Sequence, residues 1–239
     1  IYGDFSGYSD IAIGTARLFG FNLMQNFAFP YFSRDIAEFW RRWHISLSTW
    51  FRDYLYIPLG GSRGTNSHKI RNVFIVFLVS GFWHGSNWTF IFWGGLNAIY
   101  FLPIMLMNRN RANIDTIAQG KYFPNYREFI SMLLTFSLTV FAWIFFRADN
   151  INDAFNYIDT IFSKSLFIKS ELLSDIKSIK VIGLIIVLII VEWLGRTHKY
   201  ALENISSFPK YLRWSVYLFI LILLFVFQGS KQGFIYFQF

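Results

Sequence analysis

The sequence predicts an all-α fold: a polytopic bundle of transmembrane helices with interfacial and re-entrant helices. Hydrophobic residues make up 54% of the 239 residues and charged residues only 15%, whereas a soluble domain carries roughly 25% charged residues. Aromatic residues, at 22%, add more apolar surface than a soluble chain of this length would bury. Several stretches with few or no charges approach the roughly 20 residues that a spanning helix needs.

Five membrane spans are predicted, in one transmembrane domain over residues 1–239. They cover approximately residues 71–84, 88–107, 129–147, 180–195 and 212–228. The second span contains no charge, and the third carries one only at Arg147, its last residue. Glu192 interrupts the fourth span near its end, where a charge is expected to reach the interface and is given no role. The first span has only 11 apolar residues before His84, which favours a short, tilted or broken helix.

Residues 33–58 predict one amphipathic helix in the plane of the membrane interface. Its apolar side chains recur every three or four residues along one face, at Ile36, Trp40, Trp43, Leu47, Trp50, Tyr54 and Ile57. The other face is rich in arginine, whose head groups are expected to meet lipid phosphates while the Trp rings lie at headgroup level. Ser33 is the expected N-cap, and Pro58 with the two following glycines ends the helix.

The net charge of +8 follows the membrane pattern. If the spans alternate, the basic residues concentrate in the loops of one side, which the positive-inside rule places in the cytoplasm. The turn at His84 then lies toward the outer half of the bilayer. We attribute the excess of positive charge to orientation and to membrane lipid headgroups, and predict no nucleic-acid partner.

The residue inventory also limits the chemistry. The absence of Cys excludes thiol nucleophiles, disulfides and cysteine-ligated metal. The four histidines, at positions 44, 68, 84 and 198, have no spacing that resembles a metal site. The chain begins with Ile1 and has no signal-peptide pattern, so it is interpreted as the C-terminal part of a longer protein.

Two histidines are the candidate site residues. His84 lies between two strongly apolar stretches, at predicted membrane depth, where ionisable residues usually serve a partner, a cavity or a reaction. His44 lies beside the apolar stripe of the predicted interfacial helix. Taken singly, each could be a hydrogen-bonded core residue, and 40 residues of chain separate them. The combination favours a functional pair.

Three sequence stretches carry a family resemblance. Residues 33–61 read Ser-Arg-Asp-Ile-Ala-Glu-Phe-Trp-Arg-Arg-Trp-His-Ile-Ser-Leu-Ser-Thr-Trp-Phe-Arg-Asp-Tyr-Leu-Tyr-Ile-Pro-Leu-Gly-Gly, residues 81–85 read Gly-Phe-Trp-His-Gly, and residues 93–97 read Trp-Gly-Gly-Leu-Asn. Together they resemble the membrane-bound O-acyltransferase (MBOAT) family. Residues 56–61 resemble its alginate and peptidoglycan O-acetyltransferase branch more than its D-alanine-transferring branch, and the closing residues 233–239 fit its bacterial members.

The resemblance implies a multi-pass protein of the bacterial cytoplasmic (inner) membrane, of which this chain is the C-terminal half. It implies that His84 is catalytic with His44 as its companion, and that acetyl passes from a cytoplasmic donor, acetyl-CoA or another acyl thioester, toward an extracytoplasmic polysaccharide. Acceptance is direct or through an extracytoplasmic acetyltransferase partner. No bound cofactor or metal is implied.

Acyl transfer to a hydroxyl needs a base and a donor to the carbonyl oxygen. Neutral imidazole, with an unperturbed pKa of ~6.5, suits the first task, and we assign it to His84. His44, Ser46, Trp83 or Asn87 is the candidate for the second. The alternative is a polysaccharide-associated transporter or flippase without acyl chemistry, for which broken helices and intramembrane histidines are equally apt.

Overall fold

The computed structural model describes residues 1–164 and 176–227, and every regular element in these ranges is helical. The helices are α1 (Tyr2–Leu18), α2 (Ile36–Arg42), α3 (Ile45–Phe51), α4 (Asn66–His84), α5 (Trp88–Leu106), α6 (Tyr126–Arg147), α7 (Ile151–Ile161), α8 (Ile176–Gly195) and α9 (Lys210–Val226). Short 3-10 turns lie at Pro30–Phe32 and Glu203–Ser207. The predicted all-α class is confirmed, while the motif at residues 233–239 lies outside the described residues.

Within the described ranges, three helices are long and apolar enough to cross a membrane: Trp88–Leu106, Tyr126–Arg147 and Ser178–Gly195. They coincide with the second, third and fourth predicted spans. α4 differs from its prediction, because it is one unbroken helix of 19 residues that begins at Asn66, after the Thr65 cap, and ends at His84. Membrane crossing by α4 and α9 stays a prediction, and residue 228 of the fifth span lies outside the described residues.

α4 and α5 form a tightly packed hairpin. A Cβ atom at Gly81 would collide with the carbonyl oxygen of Phe90, and a Cβ atom at Gly94 would collide with the carbonyl oxygen of Phe77. Each helix therefore places a glycine against the backbone of the other, as small residues do wherever membrane helices pack closely. The turn between them, at residues 85–87, follows directly on His84.

Replacing Gly81 with alanine should destabilise this hairpin, because the added methyl group meets backbone that cannot rotate away. Overpacking of this kind costs about 1–3 kcal/mol or more. Gly95→Ala is the matched control on α5, since its Cβ would lie 3.9 Å from the flexible Leu78 side chain. Thermal unfolding of the detergent-solubilised variants measures the difference. Equal melting temperatures for the two variants would contradict the close backbone approach.

The predicted single helix over residues 33–58 is wrong in its continuity. The chain forms α2, breaks at Trp43 and His44, resumes as α3 and continues into a wider π turn at Arg52–Tyr56. The N-cap of α2 is Asp35, not Ser33, because the Asp35 carboxylate accepts the Glu38 amide at 2.6 Å. Repeating apolar spacing does not reveal the break, since α2 and α3 each keep the helical period.

The arginines at positions 34, 41 and 42, just before and within α2, also depart from the prediction, because they contact protein. The Glu38 side chain is 1% exposed and pairs with Arg34 at 3.1 Å and with Arg42 at 2.8 Å. Arg34 further pairs with Asp115 at 3.0 Å, and Arg41 donates to two backbone carbonyls of the α5–α6 loop. We call Arg34, Glu38, Arg42 and Asp115 the arginine network. It fastens α2 to the α5–α6 loop.

The end of α8 is fastened to the same loop. Arg196 is 9% exposed and donates to the carbonyls of Ile117, Ala118 and Lys121. Glu192 lies one turn earlier, and the prediction that it reaches the membrane interface is wrong. Its side chain is buried, with the residue 7% exposed, and accepts a hydrogen bond from the Tyr2 hydroxyl of α1. These contacts join the first and eighth helices to the centre of the described fold.

Candidate active site

The break between α2 and α3 places His44 in the protein interior. His44 adopts a left-handed backbone conformation, with φ 44° and ψ 56°. The preceding extended segment, residues 26–28, holds the break on both sides: the Ala28 amide donates to the Arg42 carbonyl and the Ile45 amide donates to the Asn26 carbonyl, each at 3.0 Å. Positive φ in a residue other than glycine is uncommon and clusters at functional sites.

The His44 imidazole packs against α1. It is 9% exposed and meets the Phe5 ring edge-on, with 4.7 Å between ring centroids. Burial disfavours the charged imidazolium, so the pKa of His44 is lowered from its usual value. His44 is therefore neutral at pH 7, the form that can accept a proton or a hydrogen bond.

His84 ends α4 against aromatic side chains of α5 and α6. Its ring lies 5.3 Å from that of Trp93, 5.0 Å from that of Phe146 and 6.4 Å from that of Phe90, centroid to centroid. We call these three residues the aromatic wall. They pack on one another, with centroid separations of 5.1 Å from Phe146 to both Phe90 and Trp93. These contacts hold the His84 imidazole in one position at the C-terminal end of α4.

The structure brings the two histidines into one site. A chain of ring contacts leads from one toward the other: His84 lies 5.3 Å from Trp93 and Trp93 lies 5.8 Å from Trp40, centroid to centroid, and Trp40 is one helical turn before His44. Trp40 of α2 bridges the surrounding side chains, because it packs against the cluster that contains the aromatic wall and also against the cluster that contains Trp43. The two histidines are 40 residues apart in the sequence, which does not show whether they lie near each other. Packing of the helices and loops brings the segments that carry them together.

The three other predicted site residues are placed differently. Ser46 donates its hydroxyl to the Asn26 side chain at 2.6 Å. Asn87 caps α5 through the Thr89 amide and donates to the Asp149 carbonyl at 2.7 Å. Trp83 packs on the His84 ring at 5.0 Å but is 54% exposed. Ser46 and Asn87 therefore have structural hydrogen bonds, and a substrate role for any of the three stays a prediction.

A depression opens directly beyond His84. It has a volume of about 460 Å³ and is lined by residues of the α4–α5 turn and the end of α6: Gly85, Ser86, Asn87, Trp88, Phe90, Arg147, Ala148 and Asp149. This volume is within the ~300–1,000 Å³ typical of small-molecule sites. Phe90 belongs both to this lining and to the aromatic wall, so the depression adjoins the His84 ring.

Residues 1–164 and 176–227 contain no group of three or more His, Cys, Asp or Glu side chains placed to hold a metal ion. The remaining histidines lie elsewhere: His68 pairs with Thr65 at the start of α4, and His198 pairs with Asn204 beyond α8. The arrangement available for chemistry is therefore the pair of imidazoles with its aromatic surroundings and the adjoining depression.

Sequence reasoning missed two contributors to this site. Asn26 fixes the His44 break through its backbone and side chain, and no motif marks it. The apolar stripe predicts only packing for Trp40, yet its indole Nε1 is buried and has no hydrogen-bond partner among the residues that the structure describes. The signal that was available for Trp40 was its position four residues before His44, one helical turn away.

Fold and site together define a helical membrane protein with two histidines at an internal site. Comparison with known proteins identifies the group: the chain belongs to the membrane-bound O-acyltransferase family, whose family model matches residues 1–148. This confirms the resemblance inferred from the three motif stretches, all of which lie inside the matched range.

Individual relatives refine the assignment. The chain is 39% identical over 211 residues to the probable alginate O-acetylase AlgI of Pseudomonas aeruginosa, a match that covers 88% of this chain and 38% of that protein. It is 44% identical over 154 residues to the peptidoglycan O-acetyltransferase of Helicobacter pylori, covering 64% and 28%. Identity to the teichoic acid D-alanyltransferase of Streptococcus thermophilus is 32% over 158 residues, covering 61% and 38%.

The higher identities confirm the predicted similarity to the alginate and peptidoglycan branch over the D-alanine branch. The matched region spans less than half the length of each of these relatives.

Proposed function

We propose that this chain carries the acyl-transfer site of a membrane O-acyltransferase, which moves an acetyl group from a cytoplasmic thioester donor to a hydroxyl on the extracytoplasmic side. The observation that carries this is the chain of ring contacts from His84 through Trp93 to Trp40, one turn before His44, beside the depression at the end of α4. The names of the alginate and peptidoglycan relatives support an O-acetyl product on a polysaccharide.

His84 serves as the general base in this proposal. Its imidazole takes the proton of the acceptor hydroxyl while the hydroxyl oxygen attacks the thioester carbonyl carbon. The tetrahedral intermediate then expels the thiolate, which takes the proton from the imidazolium and leaves as free thiol. A positioned base contributes ~100- to 10,000-fold to such a reaction. The aromatic wall supports this role because its three rings pack against the imidazole and hold it in place.

The charge distribution supports the direction of transfer. The loop before α4 with the first turn of that helix, and the loop between α5 and α6, carry the basic residues Arg63, Lys69, Arg109, Arg111 and Lys121. Both loops lie at the end of the α4–α5 hairpin opposite His84 and the depression. By the positive-inside rule the donor would enter from the basic end, and the acceptor hydroxyl from the depression.

The depression suits either acceptor that the sequence suggested. It is wide enough for a sugar hydroxyl of the polysaccharide or for a nucleophile of an extracytoplasmic acetyltransferase partner. Acetyl-CoA is the donor to test first, because a free thiol is easily detected when it leaves. Purified full-length protein should release this thiol only when an acceptor such as alginate oligosaccharide or the partner protein is present.

The same measurement separates the enzyme from the transporter or flippase. A carrier without acyl chemistry would move the polymer across vesicles and leave the thioester intact. Thiol release together with ester formation on the acceptor supports the proposal. An intact donor under all acceptor conditions, with the polymer still transported, would overturn it.

His44 has its own prediction. His44→Asn should lower acetyl transfer at least 10-fold while the protein unfolds near the wild-type temperature, because asparagine tolerates the left-handed backbone and removes only the imidazole. His68→Asn, at the start of α4, is the control and should leave transfer unchanged. Wild-type activity in His44→Asn would reduce His44 to a packing residue.

A further inference from the structure

The indole of Trp40 contains a buried hydrogen-bond donor. Within residues 1–164 and 176–227, its Nε1 atom has no hydrogen-bond partner. Leaving a buried polar group unpaired destabilises a protein, and such groups are rare enough in folded proteins that each requires an explanation. By contrast the indole Nε1 of Trp193 donates to the Tyr122 carbonyl at 2.8 Å. The Trp40 indole N–H is thus a hydrogen-bond donor that no described residue accepts.

The position of Trp40 connects this donor to the two histidines. Its ring lies 5.8 Å from that of Trp93, which in turn lies 5.3 Å from the His84 ring, centroid to centroid. On the other side Trp40 packs against Phe39, at 5.5 Å, in the cluster around Trp43 that leads into the His44 break. Trp40 is therefore enclosed between the segments that carry His84 and His44.

Three of the donors that the sequence offered for the acyl carbonyl are poorly suited to it. The sequence suggested Ser46 and Asn87, but both side chains are engaged in structural hydrogen bonds. Trp83 is 54% exposed, and a donor in contact with solvent contributes less to the stabilisation of a developing charge. The buried, unpaired N–H group of Trp40 has the properties that these three lack.

We propose that the indole N–H of Trp40 donates a hydrogen bond to the carbonyl oxygen of the acyl group and strengthens it as that oxygen becomes an oxyanion. The proposal rests on the proposed acyl-transfer function and adds a catalytic residue to it. Removal of one such donor typically lowers kcat by ~100- to 1,000-fold, because the charge develops mainly in the transition state. KM for the donor should change much less.

The test replaces Trp40 with 3-benzothienylalanine, which keeps the bicyclic shape and exchanges the N–H for sulfur, in the full-length protein. Trp40→Phe is a second variant that needs no unnatural residue. Trp193→Phe is the matched control, since it removes an indole N–H group that already has an acceptor. Acetyl-CoA thiol release with alginate oligosaccharide or the partner protein present gives kcat and KM for each.

We expect kcat to fall at least 50-fold in both Trp40 variants, with KM within about threefold of wild type, and to remain near wild type in Trp193→Phe. A loss confined to Trp40→Phe would show that only packing matters and would overturn the proposal. Full activity in the benzothienylalanine variant would also overturn the proposal, because it would show that the indole N–H does not donate to the acyl carbonyl, for example because it donates to a water molecule. A wild-type protein that transfers no acetyl would instead overturn the proposed function, and the role of Trp40 with it.

Infrared spectroscopy supplies a readout that does not depend on turnover. With acetyl-CoA labelled with ¹³C at the carbonyl, a hydrogen bond from Trp40 lowers the stretching frequency of the bound carbonyl. His84→Gln protein can hold the donor without consuming it, and adding the benzothienylalanine substitution should raise that frequency. An unchanged frequency would overturn the proposed contact.

Discussion

Replacing His84 with alanine in the full-length protein should reduce acetyl transfer by a factor of ~1,000, within the ~100- to 10,000-fold range of a lost general base. The proton of the acceptor hydroxyl would then lose its proposed acceptor, because the three aromatic rings that contact the imidazole carry no base to replace it. The helix should survive the change, since His84 is its last residue.

The measurement is the acetyl content of the polymer made by cells that carry only the variant gene. Membrane levels of the protein must be compared in the same cells, so that lost activity is not confused with lost protein. His198→Ala is a matched control, because His198 lies beyond α8 and pairs with Asn204. Normal acetylation in the His84→Ala strain at equal protein level would refute a role for His84 in the reaction.

The second large effect concerns stability. Glu38→Ala should destabilise the protein by about 3–5 kcal/mol, the usual cost of removing one partner from a buried ion pair. The side chains of Arg34 and Arg42 are 7% and 16% exposed, so both guanidinium groups would lose their shared carboxylate with little water to replace it. One of the contacts that anchor the α5–α6 loop would also be weakened, because Arg34 reaches Asp115 from the position that Glu38 fixes.

Thermal unfolding in detergent, read by tryptophan fluorescence, measures this loss. Asp53→Asn is the control, since the Arg52–Asp53 pair lies at the surface with side chains 59% and 41% exposed, where ion pairs add little. A melting temperature for Glu38→Ala close to that of Asp53→Asn would show that the arginine network does not stabilise the fold. Glu38→Gln distinguishes lost charge from lost volume.

The features predictable from the sequence were those that depend on local hydropathy. The helices containing residues 88–106, 126–147 and 178–195 follow from runs of apolar residues, because a spanning helix satisfies its own backbone and needs only length and composition. The candidate histidines could also be recognised from the sequence, because placing an imidazole between apolar stretches is energetically unfavourable and such residues usually serve a function.

The remaining features depend on contacts between distant parts of the chain. The break at His44 requires residues 26–28, which hydrogen-bond across it. The burial of the α2 arginines requires the loop that carries Asp115, about 80 positions later. An amphipathic stripe predicts which face of a helix is apolar and which is polar, but not the groups that each face contacts. The pattern therefore predicts lipid phosphates as the partners of the arginines, where the structure has carbonyl and carboxylate groups of the protein.

The glycine contacts of the α4–α5 hairpin fix the register of the two helices, and with it the level of His84 along α5 at which the proposed reaction would take place. Gly81 and Gly94 touch the partner backbone at two separate heights, so neither helix can slide along the other without a collision. His84, three residues beyond Gly81, is thereby held at one level relative to Trp93. A donor and an acceptor that approach from opposite faces would both have to extend to the level of His84. The lengths of the two molecules, and not a movement of the histidine, would then determine which of them react.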